Sequence, residues 1–187
     1  MTDLNLQLFY VFNLQPQGPG WSRLLAELAS TVLPSALVVG VCSAWLVRQS
    51  AWRRTVLLTL LAMLLAWLVS RGLSALWPTS RPFALGLGHQ WLAHKPTASF
   101  PSSHASVAFA FGCALWSAMP HRLGRWLPLG LALLVSWSRV ALGLHFPLDV
   151  VAGAAVGWLS WQTASTLMLG LEQGRSGVWR QAPAGGL

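Results

Sequence analysis

Residues 100–119 read FPSSHASVAFAFGCALWSAM: a short polar start, then an almost unbroken apolar run. Pro101 suits the start of a helix, and Ser102 or Ser103 can cap it by accepting a free backbone N–H. His104 then falls in or just before the first turn, where unpaired N–H groups and the helix dipole favour an anion. A titratable imidazole beside a ready-made phosphate seat is one reading of this stretch. A capped helix with a bystander histidine is the other. The run behind it ends near Met119 and carries no charge, as a bilayer-crossing helix of about 20 residues requires.

Four more such runs flank it. They cover roughly residues 24–47, 55–77, 126–144 and 147–171, and Pro34 predicts a kink in the first. Of the 187 residues, 55% are hydrophobic and 9% are charged. A soluble domain carries about 25% charged residues. The fold class is therefore all-α: a polytopic transmembrane helical bundle of five spans, in one domain covering residues 1–187. Residues 1–20 lack the basic start and apolar core of a signal peptide. Leu4, Leu6, Leu8, Phe9 and Phe12 predict a short interfacial helix there, ended by Pro16, Gly18, Pro19 and Gly20. Glu27 sits near the outer end of the first span, paired with Arg23 or near the headgroups. Residues 172–187, with Arg175 and Arg180, predict a loose tail.

The net charge of +8 would suggest nucleic acid in a soluble protein. Here the arginines fall at the ends of apolar runs, which points to membrane lipids as partners and excludes nucleic acid. Trp21, Trp45, Trp77 and Trp126 lie at span ends, as an aromatic belt requires. Cys42 and Cys113 lie inside apolar runs and read as small buried hydrophobes. The loops 48–54 and 120–125 and the tail hold most of the loop cations, so that side is cytoplasmic. Arg81, Lys95, His104, Arg139, His145 and Asp149 then all come to the opposite, outer face.

Three patches at that face carry chemistry: Ser80-Arg81-Pro82, Pro101-Ser102-Ser103-His104, and the stretch from Ser138 to Asp149. A neutral imidazole can attack phosphorus, and a carboxylate on its other nitrogen fixes the tautomer. A second histidine can protonate the leaving oxygen and then activate water. Guanidinium groups hold phosphate oxygens in pairs and keep their charge. No acid or histidine cluster offers a metal site, so the expected mechanism uses no metal and no cofactor. His89 has no evident partner, His94 sits beside the second patch, and His121 falls among the cytoplasmic arginines as a headgroup contact. Gly143 marks either a bend or close helix packing.

These patches resemble the signatures of the type-2 phosphatidic acid phosphatase superfamily: Lys-x6-Arg-Pro, Pro-Ser-Gly-His and Ser-Arg-x5-His-x3-Asp. The third matches in full, from Ser138-Arg139 through His145 to Asp149. The resemblance implies that His145 is the nucleophile, that Asp149 orients it, and that His104 is the acid and base. It implies that Arg81, Ser102 and Arg139 hold phosphate. Two positions depart: Ser74 stands where the family has lysine, and Ser103 where it has glycine. Both departures, and the His94-Lys95 element before Phe100, resemble the bacterial undecaprenyl-diphosphatase subgroup. Lys95 then supplies the missing cation, with Ser103 beside the phosphate; Arg71, one turn from Ser74, is the other candidate. The implied enzyme is a multi-pass inner-membrane phosphatase with its site facing the periplasm, acting on undecaprenyl diphosphate through a phosphohistidine. Phosphatidic acid, phosphatidylglycerophosphate or lipid A phosphatases or phosphotransferases are the enzymatic alternatives. A transporter or scaffold binding anionic headgroups is the non-enzymatic one.

Overall fold

A computed structural model describes residues 3–46, 50–119 and 123–180. Six α-helices follow one another: α1 (Asp3–Phe12), α2 (Gly20–Ala44), α3 (Ser50–Leu76), α4 (Ser103–Ala118), α5 (Leu127–Ala141) and α6 (Pro147–Arg180). Short 3₁₀ turns lie at Phe83–Leu85 and Leu123–Trp126. The helices α2 to α6 occupy the five apolar runs. Arg48, His121 and residues 181–187 lie outside the described residues.

Two of these helices, α2 and the Trp52–Leu76 part of α3, are long and apolar enough to cross a membrane. The helices α4 and α5 are shorter than the runs that predicted them, at 16 and 15 residues. For α5 the reason is at its outer end. The run through Leu144 includes a turn, in which Gly143 takes φ +74° and the chain leaves the helix after Ala141. At its other end α6 runs on to Arg180, past the loose tail expected from Glu172. The Glu172 carboxylate accepts from Arg54 Nε of α3 at 2.7 Å, and no proline interrupts the chain before Pro183.

The first helix is more than an interfacial rod. Leu4, Leu8 and Phe12 are exposed as that reading requires. Phe9, however, is fully buried against Phe146, ring centroids 5.4 Å apart. Asn5 Oδ1 accepts from Leu148 N at 3.1 Å, and Asn13 bonds to both His89 and Ala141. A helix lying only in the headgroups would have no use for buried amides; these satisfy backbone groups of the α5–α6 turn.

The helix α4 sits at the centre, wrapped by α3, α5 and α6. Its inner faces are small: Ala105, Ala108, Ala110, Gly112 and Ala114 are buried. Gly153 and Gly157, one turn apart on α6, meet it backbone to backbone. A Cβ on Gly153 would stand 2.7 Å from Ser102 O, and one on Gly157 would collide with Ser106 O and lie 2.8 Å from Ala110 N. This is the small-xxx-small contact that lets helices approach closely in lipid. It sets the helix bearing His104 directly against the helix bearing Asp149. Gly157→Leu is expected to cost about 1–3 kcal/mol through overpacking, read as a lower thermal midpoint in detergent, while Leu159→Ala on the exposed side leaves it nearly unchanged.

Candidate active site

Arg81 follows the end of α3, where Pro78 ends the helical run. Its side chain is buried and spends its donors on the loop and the turn. Nε donates to Thr97 O at 2.9 Å and Nη2 to Ala98 O at 3.1 Å. Nη1 donates to Leu144 O at 3.0 Å and lies 3.0 Å from His145 Nε2. Burial lowers the Arg81 pKa and nearby Asp149 opposes this. The guanidinium thus stitches the 78–99 loop to the turn between α5 and α6.

That turn carries His145. Leu144 N and His145 N both donate to Arg139 O, at 3.0 and 3.2 Å, which closes the end of α5. Gly143 packs on the His89 carbonyl, where a Cβ would collide, and its positive φ excludes most L side chains. Pro147 starts α6, as the sequence predicts. Asp149, in the first turn, folds back to accept from Phe146 N at 2.9 Å, a carboxylate at a helix start.

Arg81 can only donate, so His145 Nε2 accepts and the ring proton sits on Nδ1. That proton faces Asp149 Oδ2 at 3.6 Å and Ser99 Oγ at 3.4 Å. Burial lowers the His145 pKa most; the charges of Arg81 and Arg139 add to this and Asp149 opposes it. The ring is neutral at neutral pH, with its lone pair on Nε2, the arrangement a nucleophilic imidazole needs.

His104 falls in the first turn of α4, as expected. It shares a cavity of about 260 Å³ with His145, whose wall also includes Arg71, Ser74, Arg81, His94 and Ser103. Arg139 and Ser102 are buried off that wall. Arg139 Nη1 donates to Ser30 Oγ of α2, while its Nε and Nη2 have no partner. Ser102 N donates to Asp149 O at 3.0 Å, and its hydroxyl is buried without a partner.

Three expectations need correction or choice. Neither Ser102 nor Ser103 caps α4 through its side chain; Ser103 Oγ instead accepts from Ser70 Oγ of α3 at 3.1 Å. Lys95 is exposed and not on the cavity wall, whereas Arg71 is on it. Ser74, in the lysine position, ties its hydroxyl to Phe100 O at 3.0 Å. The sequence reading also passed over Ser99, which is fully buried and donates to Asp149 Oδ2 at 2.5 Å. Nothing in its local pattern marks it, because its partner lies 50 residues further along the chain.

A second cavity, of about 300 Å³, adjoins the first. Trp67, Ser103 and His104 line both. Apart from Ser35, its remaining wall is apolar, with Leu37 and Val38 of α2, Met63 of α3, and Val107 and Phe111 of α4.

An all-helical bundle that sets imidazoles and paired guanidinium groups around one cavity defines a class of phosphate-handling membrane proteins. The chain belongs to the PAP2 superfamily, whose family model matches residues 55–171. It is 35% identical over 177 residues to an Escherichia coli (strain K12) protein named "Putative undecaprenyl-diphosphatase YbjG", covering 89% of this chain and 84% of that one. It is 34% identical over 162 residues to the bacitracin transport permease protein BcrC of Bacillus licheniformis, covering 85% and 78%. Among solved structures, LpxE of Aquifex aeolicus superposes with a TM-score of 0.71 at 24% identity, covering 88% of this chain and 96% of that one. That likeness shows the shared fold. The chain is an all-helical membrane protein and a lipid phosphatase by family.

Proposed function

We propose that the protein removes the terminal phosphate of undecaprenyl diphosphate at the periplasmic face of the bacterial inner membrane. The observation that carries this reading is the shared cavity: His145 Nε2, His104, Arg81 and Arg71 stand around one space of about 260 Å³. In the reaction, the phosphate draws the Arg81 guanidinium onto its own oxygens and uncovers Nε2. Nε2 attacks the terminal phosphorus, the bond to the bridging oxygen breaks, and His104 gives that oxygen a proton. The product lipid monophosphate leaves. His104, now neutral, takes a proton from water; the hydroxyl attacks the phosphohistidine and inorganic phosphate is released. Arg139 and Ser102 lie behind the cavity wall with unpartnered polar atoms, and in this mechanism those atoms turn to the charge that builds on the equatorial oxygens. The adjoining apolar cavity takes the start of the polyprenyl chain, with Trp67 at the junction.

The proposed topology has five spans, with α4 and α5 reaching the interfaces through their flanking turns. Arg54–Glu172 marks the cytoplasmic end and the His145 turn the periplasmic end. A reporter fused in the 48–54 loop should read cytoplasm; a periplasmic reading would invert the site.

Purified protein in detergent, given undecaprenyl diphosphate and a chelator, tests the activity. Phosphate release that persists with chelator and stops with vanadate supports the proposal. A side-by-side panel with phosphatidic acid, phosphatidylglycerophosphate and lipid A ranks the substrate classes, and greater kcat/KM on any of these overturns the choice of lipid. The cation that replaces the family lysine is tested in the same assay. Arg71→Ala should raise KM by about 10- to 100-fold, the loss of a charged hydrogen bond, whereas Lys95→Ala should stay within about twofold, as an exposed charge does.

A further inference from the structure

Ser99 occupies a place that ordinary packing does not explain. Ser106 and Ser138 show the ordinary bond of a buried helical serine, back to a carbonyl three or four residues earlier: Ser106 Oγ to Ser102 O, Ser138 Oγ to Val135 O. Ser99 instead reaches a carboxylate on another element. Its backbone N–H donates to Thr79 O at 2.9 Å, which fixes the residue at the base of the 78–99 loop. Its hydroxyl donates to Asp149 Oδ2 at 2.5 Å and stands 3.4 Å from His145 Nδ1.

The donor count decides the roles. A hydroxyl has one proton and two acceptor lone pairs. With its proton on Asp149, Ser99 Oγ faces the His145 ring as an acceptor. The direct Nδ1–Oδ2 distance of 3.6 Å is beyond hydrogen-bond range. The nearest acceptor for the Nδ1 proton is therefore the serine oxygen, polarised by the carboxylate behind it. We propose that Ser99 is a positioning residue that couples Asp149 to His145, holding the ring proton on Nδ1 and Nε2 towards the cavity. The coupling matters most when Nε2 carries a phosphoryl group and the ring takes on positive charge. This proposal rests on the reading of His145 as nucleophile.

A double-mutant cycle tests it, using full-length protein in detergent with a lipid diphosphate substrate. Ser99→Ala should lower kcat by about 10- to 100-fold, with KM within about twofold and an unchanged thermal midpoint. Ser99→Thr, which keeps the hydroxyl, should recover most of the loss. In an Asp149→Asn background, Ser99→Ala should cost less than about threefold, because the coupling is already broken. An equal loss in both backgrounds, or no loss of kcat in folded Ser99→Ala, would overturn the proposal even if Ser99→Thr failed to fold. The underlying reading fails separately: His145→Ala with full activity removes the nucleophile, and the Ser99 cycle is then not what has failed.

Discussion

Replacing His145 with asparagine should abolish turnover, lowering kcat by about 10⁴-fold or more, the scale on which removing an activated nucleophile acts. The expectation rests on more than the residue type. The ring is almost entirely buried, its Nε2 faces the cavity, and its Nδ1 side is held by Ser99 and Asp149. Asparagine fits the turn without a lone pair that can hold phosphoryl. Rapid quenching with radiolabelled lipid diphosphate should trap an acid-labile phosphoprotein in the parent and none in the variant. A folded variant working within about tenfold of the parent would place the nucleophile elsewhere. The same burial sets the pH response. Because it keeps the His145 ring neutral below the ordinary histidine value of about 6.5, activity should not fall as pH drops through that value. A loss centred there would mean that His145 titrates as a solvent-exposed imidazole.

Arg139→Met should separate function from stability. The Arg139 side chain is 2% exposed and, among the described residues, bonds only Ser30 Oγ and has two nitrogens with no partner. No carboxylate among the described residues pairs with it. Burying a cation this way costs several kcal/mol that a single neutral hydrogen bond does not return. Methionine has a similar volume and no such cost, and Ser30 can turn back to its own helix. The thermal midpoint should rise by several degrees, in line with about 1–4 kcal/mol gained when buried charges give way to apolar side chains. Phosphate release should fall by about 10³-fold, because charge on the transferring group loses a preset donor. A variant that is both less stable and active would assign Arg139 a structural task.

Much of this molecule is readable in its sequence. The five apolar runs become α2 to α6, and the Ser138–Asp149 patch falls where a turn delivers Arg139, His145 and Asp149 together. What the sequence hides depends on partners far along the chain. Ser99 is an unremarkable loop serine until Asp149 is brought to it. On paper Lys95 comes before Arg71 as the missing cation, and only the course of the 78–99 loop leaves Lys95 off the cavity wall while Arg71 stands on it. The Gly153–Gly157 contact needs α4 beside it before those glycines read as more than small residues. The amides of Asn5, in α1, and Asn13, just after it, are similar: they look like polar interruptions of an interfacial helix until His89 and the ends of α5 and α6 supply their carbonyl and N–H partners.

The hydrogen bond from Arg81 Nη1 to His145 Nε2 gives the resting enzyme a chemical disguise. Small neutral alkylating agents that would ordinarily modify an imidazole meet a nitrogen whose lone pair is already engaged. Only a reagent that brings its own negative charge offers the guanidinium something better to hold. On the proposed mechanism the nitrogen is opened by ion exchange, the substrate phosphate taking the guanidinium in its place.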